Sequence, residues 1–168
     1  MSLRKFLIKS TLPWYSKIVL SKSKKISICT TYLLEYDRQL NKPKYTLIKN
    51  DISYYPNDKK KYEHFYSDMS DDYQKIDYEE YNKKRKLQDP ERYMLDKERN
   101  TFKFNQVEYH LDIYRSYLDG LIILESNADG LLSFPPHMRI LKEVTTDANF
   151  YPFNLATFKS FDRSILRK

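Results

Sequence analysis

Apolar and polar residues alternate with a period of two through much of this chain. The pattern predicts strands near residues 3–8, 25–35, 45–50, 62–66, 94–104, 107–114 and 121–126. One break in the alternation has helical character. Ser70-Asp71-Asp72 supplies a capping hydroxyl and acids for a first turn, and Lys83, Lys84, Arg85 and Lys86 place cations where the helix dipole ends negative. Pro90 limits that helix. A second helix or coil is expected near residues 14–20, an extended crossing segment at Pro135-Pro136, and a helical tail over 153–166. Turns are expected at 41–44 and 57–61. The longest uninterrupted apolar run, Leu121 to Leu124, is of strand length and far short of the ~20 residues of a membrane helix.

Strands with polar residues at alternate positions fit two architectures. One face of an open sheet meets water, or the sheet closes into a barrel with a charged lumen. Charges recurring at matching depth on several strands would favour the barrel.

Composition narrows the classes. With 168 residues, 40% of them hydrophobic, and no linker or repeat, a single domain over 1–168 is expected. The net charge of +7 favours polyanionic partners: RNA, phosphorylated ligands or acidic protein surfaces. Residues 1–34 contain no acid and seven basic residues, which reads either as uncleaved mitochondrial targeting character or as the start of the domain. The compartment is therefore open between the mitochondrial matrix and the cytoplasm. The 16 tyrosines against 2 glycines match AT-rich codon usage. Gly120 and Gly130 being the only glycines excludes a glycine-rich phosphate loop. His64, His110 and His137 lack companions at zinc spacing, and Cys29, between Ile28 and Thr30, reads as a small core residue.

A set of words in the last third carries more. Glu108 to Tyr114, then Leu118-Asp119-Gly120-Leu121 to Glu125, Phe134-Pro135-Pro136, Lys142 to Asp147 and Asn154-Leu155-Ala156 together resemble the C-terminal half of a CYTH domain. That is the fold of the triphosphate tunnel metalloenzymes: class IV adenylate cyclases, thiamine triphosphatases and inorganic triphosphatases. The resemblance implies an α+β fold in which an antiparallel sheet closes, or nearly closes, into a tunnel barrel with peripheral helices. It also maps the family's site. Lys5, in Arg4-Lys5-Phe6-Leu7-Ile8-Lys9, matches the lysine of the first Glu-x-Glu-x-Lys strand, while Met1 and Leu3 stand at its glutamates. Lys49 matches a tunnel lysine, and Lys97 and Arg99 a Lys-x-Arg pair facing one side. Glu63, Asp112, Glu125 and Glu143 match acidic positions. Phe65, His110 and Asn127 stand where further carboxylates are usual.

Triphosphate chemistry needs cations on the phosphoryl oxygens and paired carboxylates to hold divalent metals. Lys5, Lys49, Lys97 and Arg99 are thus the candidate anion-binding residues, and Glu63, Asp112, Glu125 and Glu143 the residual acids, with Glu125 the metal ligand if there is one. Losing one member of each acidic pair predicts a catalytically degenerate binding or scaffold protein, a subunit of a larger assembly touching other proteins, RNA or another polyanion, with no cofactor. The alternative is a triphosphatase dependent on Mg or Mn that acts on inorganic triphosphate or nucleoside triphosphates.

Overall fold

The computed structural model describes residues 3–9, 24–54, 59–136, 138–157 and 164. Among them run nine strands: β1 (Arg4–Ile8), β2 (Lys24–Asp37), β3 (Lys42–Tyr54), β4 (Lys60–Ser67), β5 (Gln74–Ile76), β6 (Leu95–Phe104), β7 (Val107–Tyr114), β8 (Ile122–Ser126) and β9 (Ile140–Glu143). Helix α1 spans Tyr78–Arg85 and the short α2 spans Pro152–Leu155. The expected helix near 14–20 lies outside the described residues, as does most of the expected helical tail, of which α2 is the part seen.

The chain divides into two compact units. One comprises Met1–Ile26, Lys97–Tyr151 and Phe161–Lys168; the other comprises Ser27–Asp96 and Pro152–Ser160.

In the first unit, β7 pairs antiparallel with β6 and β8, and β1 with β8 and β9. Asn105 and Gln106 turn the β6–β7 hairpin with φ of 48° and 66°, the left-handed pair that a tight two-residue loop requires. Period-two spacing then sorts the side chains. Phe6, Ile8, Phe102, Tyr109, Leu111, Ile122 and Leu124 form one buried apolar face, covered by Leu132, Phe134, Met138 and Ile140 from the segment around the proline pair. Phe134 meets Phe6 edge to face at 5.1 Å. The other face carries the charges described below.

In the second unit, β4 pairs with β3 and β5. Helix α1 buries Tyr81 against Leu33 and Ile48, with Tyr66 and Ile76 at the margin. This helix starts later than the capping pattern at Ser70 suggests. Asp68 and Ser70 bond turn amides at Ser70 and Asp72, and Asp77 is the residue that accepts the Glu80 amide as N-cap. The segment between forms β5, too short to leave a periodic signal. The hairpin turn expected at 41–44 falls at 38–41, so that Lys42 already begins β3.

The barrel expectation is corrected by the strand order, β5-β4-β3-β2-β6-β7-β8-β1-β9. The sheet is open: β5 and β9 are its ends, and no pairing among the described residues joins them. Closure needs two edges that can pair along their length with a consistent stagger. Here one edge has three residues and the other four, and each carries a lysine, Lys75 or Lys142, of the kind that blunts an exposed edge. The antiparallel α+β class stands; the closed tunnel does not.

Candidate functional site: ion pairs on one sheet face

The charged face of the first unit is assembled by register. Arg99 on β6 lies directly opposite Asp112 on β7, and Lys5 on β1 directly opposite Glu125 on β8. Lys97 precedes Arg99 by one period, so its side chain shares the face. The network that results has few loose ends. Lys97 Nζ donates to Asp112 Oδ2 at 2.6 Å. Arg99 Nε donates to Asp112 Oδ1 at 2.7 Å, while its Nη2 donates to Asp112 Oδ2 at 2.7 Å and to Glu125 Oε2 at 2.8 Å. Lys5 Nζ stands 3.5 Å from Glu125 Oε1. Three cations thus enclose two carboxylates, and Asp112 is 0% exposed.

Burial by itself would push the Asp112 carboxyl up, but Lys97 and Arg99 outweigh it and hold the group below the usual carboxylate range. Burial likewise works against the charged Arg99 guanidinium. The bonds to Asp112 and the charge of Glu125 more than offset that, and its pKa is raised. Tyr114, fully buried beside the two acids, is driven well above its ordinary value by burial and then by their charge. His110 shares the face. Its Nδ1 lies 2.9 Å from Thr101 Oγ1, and burial followed by the nearby Arg99 lowers its pKa.

The other candidates have partners of their own. Glu143, at the β9 edge, is held by Arg4, whose Nε and Nη2 each donate to the carboxylate at 2.9 Å, and by the Thr145 hydroxyl at 2.8 Å. These bonds depress its pKa to about 2. A carboxyl-resolved NMR titration is expected to find Glu143 titrating near that value, and Arg4→Ala to return it toward 4.5. A titration unmoved by the substitution would contradict the assignment. Lys49 and Glu63 belong to the second unit. Lys49 Nζ is 3.2 Å from an Asp51 oxygen and lies over the Phe65 and Tyr73 rings at 5.0 and 4.7 Å. Glu63 is paired with Lys61 and, at 3.6 Å, with Lys75. Glu35, in the same unit, is bound by Thr46, Tyr66 and Lys84.

Sequence reasoning missed Arg4, Thr101, Thr145 and Lys84. Arg4 had a legible signal, since it flanks Lys5 on the same strand. The others become visible only once the register is known.

Divalent metal would require carboxylate oxygens facing a common point with room for an ion. Among the described residues no group of three or more His, Cys, Asp or Glu side chains has that arrangement. Each of the four candidate acids already carries at least one basic side chain. The donor set does not fit a resident magnesium or manganese.

No protein-family model matches the chain, and no curated protein sequence matches it. Solved structures do. The crystal structure of the inorganic triphosphatase NE1496 overlays with a TM-score of 0.58 across 93% of this chain and 97% of that one, at 16% identity. A second crystal structure, of the hypothetical protein NE1496, gives 0.57 over 92% and 95%, also at 16% identity. A protein of Pyrococcus horikoshii OT3 overlays over 76% and 79% with a TM-score of 0.41 at 13% identity, and the likeness rests on the first two. At these identities the likeness is one of fold: the chain has the CYTH, triphosphate-tunnel type of fold. Among the described residues no helix is long and apolar enough to cross a membrane.

Proposed function

We propose that this chain is a catalytically degenerate CYTH-like protein acting as a binding or scaffold subunit of a larger assembly, with contacts to a polyanion such as RNA or phosphate. The observation that carries the reading is the saturation of Asp112 and Glu125. Lys97 and Arg99 hold both oxygens of the first, and Arg99 and Lys5 hold those of the second. On the family resemblance, side-chain ammonium and guanidinium groups would thus take the place of ions. A metal entering there would have to displace bonds that keep two buried charges solvated, at a cost of several kcal/mol per ion. The net charge of +7 supports the polyanion component. If the polyanion is RNA, lysine and arginine contacts to phosphates make the affinity fall steeply with salt.

The fold shared with an inorganic triphosphatase favours a second reading, a triphosphatase dependent on divalent metal. Phosphate release from inorganic triphosphate with added magnesium or manganese separates the two. The scaffold reading predicts no release above the protein-free rate. Sustained turnover abolished by Glu125→Gln would establish the enzyme and end the scaffold reading.

A further inference from the structure

The end of the β2–β3 hairpin is charged and apolar at once, and it is left open among the described residues. Every residue from Arg38 to Tyr45 is exposed. Leu40 is 62% and Tyr36 60% exposed, and Leu34 and Leu87 are also open to solvent. The end of α1 and the segment after it are tied to the hairpin: the Leu34 amide donates to the Leu87 carbonyl at 2.9 Å, and Lys84 reaches Glu35 at 3.2 Å. Exposed Arg85, Lys86 and Leu87 therefore adjoin the hairpin.

The charge here is predominantly positive. Asp37 is spent on the Gln39 and Leu40 amides of its own turn, and Glu35 on Thr46, Tyr66 and Lys84. Arg38, Lys42, Arg85 and Lys86 form no salt bridge among the described residues. The α1 dipole accounts for cations at the end of that helix. It accounts neither for Arg38 and Lys42 on the hairpin nor for leucines held in water.

From this pairing of uncompensated cations with exposed aliphatic side chains, we infer that the hairpin end and the adjoining residues 85–87 form a docking surface for an acidic protein segment bearing aliphatic side chains. Charge complementarity steers and aligns such a partner, and buried leucines supply the affinity. A polynucleotide would use flat rings for stacking and has no use for Leu34, Leu40 and Leu87. Of the two rings present, Tyr36 has its hydroxyl bonded to Asn41, and Tyr45 is packed edge to face on Phe153 with Arg92 beside it. The inference rests on the assembly-subunit reading and names the chemistry of the partner.

The test places a photoreactive phenylalanine analogue at position 40 of the full chain in cells that natively make it. A discrete protein adduct is expected, with a crosslinked segment of net negative charge containing aliphatic residues. The adduct falls at least about tenfold in Arg38→Glu/Lys42→Glu and also in Leu87→Ser, exposed-site changes that leave thermal stability nearly unaltered. A nuclease-sensitive adduct, no discrete adduct, or an adduct indifferent to the charge reversal overturns the inference. Triphosphate turnover is measured on the same chain. A failed crosslink without turnover removes the docking surface alone, whereas turnover removes the reading beneath it.

Discussion

Replacing Asp112 with alanine is expected to destabilise the protein by about 3–5 kcal/mol, the range seen when one partner of a buried ion pair is removed and the other is left uncompensated. In a chain of this length that corresponds to a fall in Tm of roughly 10 °C. The loss comes from Lys97, which would stand charged on a largely buried face with no counterion, and from Arg99, which would be left with Glu125 alone. The same logic gives a second, sharper expectation. Removing three charges at once, with Asp112→Leu, Lys97→Met and Arg99→Met, costs less than the single substitution, because the acid that loses Arg99, Glu125, keeps Lys5 as its counterion. Thermal and urea denaturation of the two variants check this. A triple variant weaker than Asp112→Ala would show that the network stabilises the fold in its own right.

The pH dependence follows with a definite sign. The folded Asp112 pKa lies below the ordinary 3.8, so its ionised form is favoured by folding. Its stabilisation is complete above the unfolded value and is lost as pH falls from 3.8 through the lower folded value. Asp112→Asn is expected to remove that part of the acid-side loss of stability.

The second large effect is expected in the other unit. Arg92 Nη1 donates to the buried Asp89 at 2.5 Å, its Nε bonds the Phe153 carbonyl at 3.4 Å, and its guanidinium lies 3.7 Å from the Phe153 ring centre and 5.0 Å from that of Tyr45. Tyr32 and Tyr45 meet Phe153 edge to face at 5.2 and 5.0 Å. Arg92→Ala would orphan Asp89 and remove the cation from the aromatic cluster together, a loss of about 3 kcal/mol. Hydrogen exchange locates it: the Tyr93 amide, bonded to the Ala156 carbonyl at 2.7 Å, should exchange much faster in the variant. Unchanged protection there would show that α2 is held by its apolar contacts alone.

Much of this was legible in the chain, for reasons that can be named. The alternation found β1, β2, β3, β4, β6, β7 and β8, because each runs for at least five residues. Lys97 and Arg99 were assigned to one side by spacing alone, and they share one carboxylate. β5 and β9 were invisible because three or four residues hold no period. Openness of the sheet was equally hidden, since an alternating strand reads the same in a barrel and in an open sheet. The pairing that decides the character of the site was beyond local reading. Arg99 and Glu125 are 26 residues apart, and Arg4 and Glu143 are 139 apart. Only the register of β6, β7, β8, β1 and β9 brings such groups within bonding distance. Sequence thus names the acids that survive but not that basic side chains already occupy them.

That occupation is the central claim, and manganese binding tests it most directly. Titrating the wild-type chain with Mn²⁺ at neutral pH, read by the paramagnetic signal of the free ion, is expected to leave the added ion free across the micromolar range, and Asp112→Asn and Glu125→Gln should give the same trace. One or two ions bound in the wild type and released by those substitutions would show that Lys5, Lys97 and Arg99 yield their carboxylates to metal, and would contradict the account.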